Sequence, residues 1–296
     1  MLQNKLRRPT SVREGAHTRR KRTIVTLSVA VAAAAVIAVG LFAQASWSGD
    51  QPRAVNLSAS AKIEPPLSWK LTFNSGFTGN KLNKSTWGTC YPWAPNGCTN
   101  FGNNGEEKEW YQASQAKVQN GILHLIAQRK PTAGLSQTKK PKEYACRSGM
   151  VTTYPGFHFT YGYVQVIARI PYGKGLWPAL WLAAANGKWP PEIDLVEHWA
   201  SDPVAKVYLH PTNGPRLGGP FKESNLSKGW HSFTLYWTKS RLTWYIDGRQ
   251  LLTTSKNIPQ QAMYLIANVA SYDTSLGACS GTMLIKSVKV WQPPKG

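Results

Sequence analysis

The sequence predicts an all-β fold, a sandwich of two antiparallel sheets carried behind an N-terminal signal or transmembrane segment. Three observations predict it. From Leu67 onward, short alternating runs are separated by Gly, Pro and Asn turns, the pattern of many antiparallel strands. No stretch of that region sustains the period of an amphipathic helix. The length, 296 residues, suits one large β domain with appendages and asks for no second domain.

The N-terminal elements come first along the chain. Residues 1–22 hold eight Lys or Arg against Glu14 alone and form a basic tail. Residues 23–45 carry no charge and end in Ala43-Gln-Ala45. A basic lead, an apolar run and small residues at a cleavage point are the parts of an export signal. The run is also long enough to span a bilayer, so an uncleaved anchor with its basic end in the cytoplasm competes with that reading. Either one places the rest of the chain outside the cytoplasm, secreted or tethered by a single segment. Residues 46–66, rich in Ser, Ala and Pro without periodicity, read as a linker. Residues 67–296 are then the folded domain.

Charge narrows the partners. The chain stands at +21, and without the segment through Ala45 it keeps 27 basic and 13 acidic residues, a charge of +14. That balance favours polyanionic surroundings such as an anionic cell-wall polymer. Nucleic acid is not an expected partner, because no binding motif and no Arg-rich helix accompanies the charge. A monomer is expected. Cys90, Cys98, Cys146 and Cys279 permit three pairings. Cys90–Cys98 closes a short loop containing Pro92, Pro95 and Gly97, which leaves Cys146 with Cys279; two disulfides are the expectation for an oxidising compartment. A zinc site is disfavoured, since the cysteines lack C-x-x-C spacing.

Within the domain, Phe233, Leu235 and Trp237 alternate with Ser232, Thr234 and Tyr236, a half-buried strand. Leu242–Ile246 follows after a short turn, and Asp247-Gly248 signals a tight hairpin into Arg249–Leu252. The most informative run is Trp189-Pro-Pro-Glu-Ile-Asp-Leu-Val-Glu-His-Trp199, where Glu192, Asp194 and Glu197 crowd into six positions. Carboxylates repel and are costly to desolvate, so a basic chain has little structural reason to gather them beside Ile193, Leu195 and Val196. On a strand Glu192 and Asp194 share a face, while Glu197 falls on the other. One extra residue in a β-bulge returns Glu197 to the acidic face. Three carboxylates along one groove are the equipment for retaining cleavage of a glycosidic bond. The competing reading is an amphipathic surface strand. The aromatic setting favours the former, because Trp177 and Trp181 lie just upstream and Trp189 and Trp199 flank the acids, flat faces on which sugar rings stack.

These residues resemble glycoside hydrolase family 16, the laminarinase-like enzymes, over roughly residues 68–292. Glu192-Ile-Asp-Leu-Val-Glu197 matches that family's E-x-D-x-x-E signature in its bulged form. It sits in order among Asn104-Gly-Glu-Glu-Lys-Glu-Trp-Tyr111, Asn120–Leu125, Ser148–Thr153, Tyr161–Pro171, Gly173–Leu182, Tyr245-Ile-Asp-Gly248 and Met263–Asn268. The resemblance implies a concanavalin A-like jelly roll, with Glu192 as nucleophile, Glu197 as general acid/base and Asp194 as the auxiliary between them. It implies a polysaccharide substrate, a β-1,3-linked glucan cut internally. Hydrolysis of galactan or carrageenan, and transglycosylation, are alternatives on the same fold. A non-catalytic, lectin-like glucan binder is the alternative of a different class, and the intact Glu192 and Glu197 argue against it.

For substrate contact the candidates are Trp177, Trp189, Trp181 and Trp199, with Trp177 and Trp189 favoured for the groove; each also suits the core of a sandwich this size. His210, in Tyr208-Leu-His-Pro211, can hydrogen-bond a sugar or an acid at the catalytic end, or simply pack at a strand end. By the resemblance Asn104 contacts a glycone hydroxyl; by turn chemistry it only precedes Glu106. Two departures bear on metals. Phe73-Asn-Ser-Gly-Phe77 stands where the family has an acidic pair, and Lys286-Ser-Val-Lys-Val290 where it has an Asp. Hard cations want carboxylate or carbonyl oxygens, so a structural calcium is not expected, and neither is any other metal or cofactor.

Overall fold

Alternation becomes architecture in a computed structural model that describes residues 63–94, 107–136, 138–199, 204–223 and 225–294. The expected basic tail and apolar segment, residues 1–45, lie outside the described residues, as do Asn104 and Cys98. No helix among the described residues is long and apolar enough to cross a membrane. Strands and loops make up nearly all of what is described, with one short 3-10 turn at Ala113–Gln115.

In chain order the strands are β1 (Lys70–Ser75), β2 (Glu109–Tyr111), β3 (Ala116–Gln119), β4 (Ile122–Ala127), β5 (Thr132–Leu135) and β6 (Pro141–Tyr144). Next come β7 (Cys146–Ser148), β8 (Met150–Thr152), β9 (Gly162–Arg169), β10 (Leu176–Ala184), β11 (Glu192–Glu197) and β12 (Val204–His210). The last are β13 (Leu217–Lys222), β14 (His231–Trp237), β15 (Leu242–Ile246), β16 (Arg249–Thr254), β17 (Met263–Ser271) and β18 (Gly281–Gln292). One antiparallel sheet runs β16-β15-β14-β9-β18-β4-β3, with β1 also on β18. The other runs β13-β12-β11-β10-β17-β8. Two small pairs complete the topology, parallel β2–β7 and antiparallel β5–β6.

The sandwich core lies between the two large sheets. Phe233, Leu235 and Trp237 of β14, and Leu242, Trp244 and Ile246 of β15, are buried in it together with Val164, Val166 and Ala168 of β9. The six-stranded sheet answers with Leu180, Leu182, Ile193, Leu195, Val196, Val207, Leu209, Leu265 and Val269. Burial of such side chains drives the sheets together at about 25 cal/mol per Å² of apolar surface. The expected hairpin is present: Ile246 faces Arg249 across a two-residue turn in which Asp247 and Gly248 have φ of 49° and 80°. Asp247 also caps its neighbour strand, accepting from the Ser232 amide at 2.8 Å and bonding His231 Nδ1 at 2.6 Å.

The face of the six-stranded sheet turned away from this core is covered at one end by a second apolar cluster. Tyr91, Trp110, Tyr111, Tyr144 and Met150 pack there against Trp181, Ala183, Tyr264 and Ile266. That leaves the other part of the same face, over β11, β12 and β13, as a groove.

Of the two expected disulfides, Cys90 is disulfide-bonded, while the Cys146–Cys279 bridge needs correction. Cys146 and Cys279 do meet, but as two buried free thiols joined by a hydrogen bond rather than a disulfide. The Cys279 hydrogen bond lowers the Cys146 thiol, and the same contact together with burial raises that of Cys279. The pairing was legible from loop lengths; the oxidation state is not a property of spacing, because the bond also requires loss of two electrons.

Candidate active site

The bulge in β11 decides where the acids point. Glu192 faces His210 on β12, Asp194 faces Tyr208, and Glu197 faces Lys206. Two residues, Leu195 and Val196, thus oppose Val207 alone. The other ladder shows the same irregularity, with Trp181 opposite Asp194 and Leu180 opposite Val196, so Leu195 has no partner on β10. Both Leu195 and Val196 enter the sandwich core. All three carboxyls therefore stand on the groove face.

Tryptophan indoles hold the outer two. Trp177 Nε1 donates to Glu197 Oε1 at 2.8 Å, and Trp189 Nε1 donates to Glu192 Oε2 at 3.1 Å. His210 Nε2 lies 3.5 Å from both Glu192 Oε1 and Asp194 Oδ2. Asp194 is buried, and its Oδ2 has no hydrogen bond of its own. Behind it, Trp244 Nε1 donates to the Asp194 carbonyl at 2.8 Å and fixes the strand from the core side.

Crowding in a dry site shapes the acidities. Burial, then the charge of Asp194, pushes the Glu192 carboxyl well above the usual carboxylate range, against the opposing pull of His210. Burial and then Glu197 push Asp194 up as well, with Arg216 opposing. Glu197 is also raised by burial, less so because the Trp177 hydrogen bond favours its charged form. A negative charge on one member opposes ionisation of the next, so their ionisations are coupled and the three do not all become charged together. Such a group can supply one carboxylate and one carboxylic acid at the same pH.

A cavity of about 50 Å³ opens onto these residues, lined by Tyr91, Glu107, Trp177, Ala179, Trp181, Glu192, Asp194, Glu197 and Asn268. A larger hollow of about 640 Å³ lies over the outer face of β14–β16, but its lining from Tyr236 to Lys256 includes no carboxyl. Chemistry, not size, selects the first. Trp177 and Trp181 share one strand face as expected, opposite Ala270 and Ile266 of β17, and Pro178 does not break the ladder. Trp181 is buried under the cavity and donates to Asn268 Oδ1 at 2.8 Å. Trp189 is 60% exposed over Glu192. The Trp199 ring packs tilted against that of Trp177, centres 4.6 Å apart, on the Glu197 side. The four tryptophans thus divide into one floor residue and three wall residues. Asn104 lies outside the described residues.

Sequence reasoning passed over a second acidic pair. Glu107 and Glu109 are both buried, Glu107 lining the cavity and Glu109 accepting the Ser271 amide at 2.6 Å. Tyr111 on the same strand accepts from Asn268 Nδ2 at 3.0 Å, so the chain Trp181, Asn268, Tyr111 braces the cavity floor. The available signal was Glu106-Glu-Lys-Glu109, acids in a short run like those of β11. Among the described residues, Glu192, Asp194 and His210 also bring one potential metal-ligand atom each within 4.8 Å of the others.

Comparison with known proteins fixes the family. The model for glycosyl hydrolases family 16 matches residues 104–282. The chain belongs to that family. Among curated relatives, an endo-1,3-1,4-beta-glycanase of Rhizobium meliloti, EglC, is 32% identical over 67% of this chain and 45% of its own length. A second from the same organism, ExsH, is 31% identical over 71% of this chain and 47% of its own. This family 16 chain thus spans about half the length of the curated relatives it matches. The catalytic domain of an endo-1,3-beta-glucanase from Thermotoga petrophila shares the fold, with a TM-score of 0.64 at 24% identity, over 77% of this chain and 99% of that one.

Proposed function

We propose that the chain is an endo-acting, retaining glycoside hydrolase of β-1,3-linked glucan, working outside the cytoplasm. The observation that carries the reading is the bulge, which turns three carboxyls onto one tryptophan-lined groove. Glu192 attacks the anomeric carbon while Glu197 gives its proton to the departing glycosidic oxygen, so a glycosyl ester forms and the aglycone leaves as an alcohol. Glu197, now a carboxylate, takes a proton from water as that water attacks the same carbon and frees Glu192. Asp194 shares a proton with Glu192 and releases or reclaims it as charge on Glu192 comes and goes. Trp189, exposed beside Glu192, supplies a stacking face for a sugar ring. Export by residues 23–45, as a cleaved signal or a retained anchor, belongs to the same proposal.

The test is incubation of the protein with laminarin and with mixed-linkage β-glucan, sizing the products and following the anomeric proton by NMR. Short oligosaccharides released first as the β-anomer support the proposal. Glu192→Gln is expected to lower the rate at least about 10³-fold. First release of the α-anomer overturns retention, and binding without products overturns the hydrolase reading in favour of a glucan-binding module. The names of the Rhizobium relatives favour a second substrate reading, in which mixed 1,3-1,4 linkages are cut faster than laminarin.

A further inference from the structure

The groove is electrostatically lopsided. Glu192, Asp194 and Glu197 stand on β11, while the next two strands present a row of cations on the same face. Cross-strand pairing fixes that placement: Lys206 opposes Glu197, and Lys222 on β13 opposes Val204, the groove-facing residue two before Lys206. Leu217 and Phe221 turn to the core, which leaves Gly218, Pro220 and Lys222 on the groove side of β13. Arg216 extends that row, its guanidinium carbon 4.3 Å from the centre of the Tyr208 ring. Lys206 sits likewise, with Nζ 4.5 Å from the centre of the Trp199 ring. Among the described residues the groove side of β13 carries no acid, Glu223 just past the strand is paired with Arg249, and none of these three cations forms an ion pair.

Aromatic faces hold Arg216 and Lys206 in place while leaving their N–H donors unused. Cations meant only to neutralise the catalytic acids would stand in contact with them. These stand off, along the wall past which a bound polysaccharide must run. A flat guanidinium on a ring is suited to grip a carboxylate with two parallel hydrogen bonds. We infer that the β12–β13 wall is a cationic rim that selects β-glucan chains bearing acidic substituents over unsubstituted chains. The inference rests on the groove being a glucan cleft, and it adds the class of glucan.

The test compares two probes with one backbone, carboxymethylated β-1,3-glucan and the unsubstituted polymer. Binding is followed by affinity electrophoresis of the full chain carrying Glu192→Gln, so that neither probe is consumed. Tighter binding to the carboxymethylated polymer is expected. Arg216→Ala with Lys222→Ala should weaken that binding about tenfold and leave binding to the unsubstituted polymer within about twofold, the scale of two exposed ion pairs. A matched loss of two charges, Arg241→Ala with Lys256→Ala on the far side of the sandwich, separates a rim from bulk charge. The inference is overturned if the two pairs weaken binding equally, if the rim pair weakens both polymers alike, or if the carboxymethylated polymer is not preferred. Product release from laminarin by the unaltered chain judges the hydrolase reading separately: binding through the rim with no release sinks only that reading, and release with no rim effect sinks only this one.

Discussion

At the scale of single residues the site is a problem in proton placement, and Glu109 shows it most simply. Burial pushes its carboxyl up to about 7, although the Ser271 amide and other bonds favour the charged form. The folded protein therefore keeps a proton that the unfolded chain gives up near pH 4.5, so stability falls as pH rises from there through 7. Over that span the loss amounts to about 3 kcal/mol. Glu109→Gln mimics the protonated form, so it should match the parent near pH 4.5 and exceed it by up to that amount at pH 8, measured by denaturant unfolding. Equal pH slopes in both proteins would contradict the assignment. Trp177 makes the complementary case. Its indole N–H lowers the Glu197 carboxyl, so Trp177→Phe should move the alkaline limb of the pH–rate profile to higher pH while slowing turnover. An unmoved limb would show that the bond does not tune the acid. Glu192, Asp194 and Glu197 were legible in the sequence because costly charges stood in an apolar run. Glu107 and Glu109 were not, because β2 is three residues long and a short alternation carries little period.

At the scale of elements, alternation identified β14, β15 and the hairpin into β16 because each has one face in the core and one toward solvent. β17 hid itself: all nine of its residues are buried, one face in the sandwich and the other under the second cluster. A strand covered on both faces shows no period to read. The bulge was inferable from the demand that three acids share a face and from the resemblance of Glu192–Glu197 to a bulged signature, and both ladders of β11 meet that demand through Leu195. The edge of the sheet depends on a position no pattern revealed. Gly218 has φ of 109°, and a Cβ there would come within 2.1 Å of the Val207 carbonyl oxygen. Gly218→Ala must therefore push β13 off β12 and adopt a backbone conformation that side chains disfavour. A loss of about 1–3 kcal/mol in denaturant unfolding is expected, with hydrogen exchange quickened in β12 and β13 before other strands. Unchanged protection there would mean the edge tolerates the methyl group.

For the whole molecule, the two layers are held by apolar burial and by few covalent constraints, which makes the Cys146–Cys279 contact consequential. Cys146 begins β7, and Cys279 precedes β18, the longest strand, which touches β1, β4 and β9. The two thiols are buried and already in contact, so oxidation asks for little movement. A disulfide there, formed with two electrons and two protons passed to an oxidant such as oxidised glutathione, would close a loop of about 130 residues. Chain-entropy arguments give such a loop roughly 5 kcal/mol of stabilisation through the unfolded state, with native-state strain subtracting from it. Oxidised and reduced protein should therefore differ in Tm, the oxidised form melting higher, and Cys146→Ala with Cys279→Ala should abolish the difference. Thiol titration after unfolding supplies the count: starting from protein in which Cys90 is already disulfide-bonded, two thiols should disappear on oxidation of the parent and none in the double variant. If those two thiols vanish with no rise in Tm, strain in the bridged fold equals the entropy gained. If they resist oxidation in the folded protein and react only after unfolding, burial protects them, and the pair is a packed contact in a fold that needs no covalent tie.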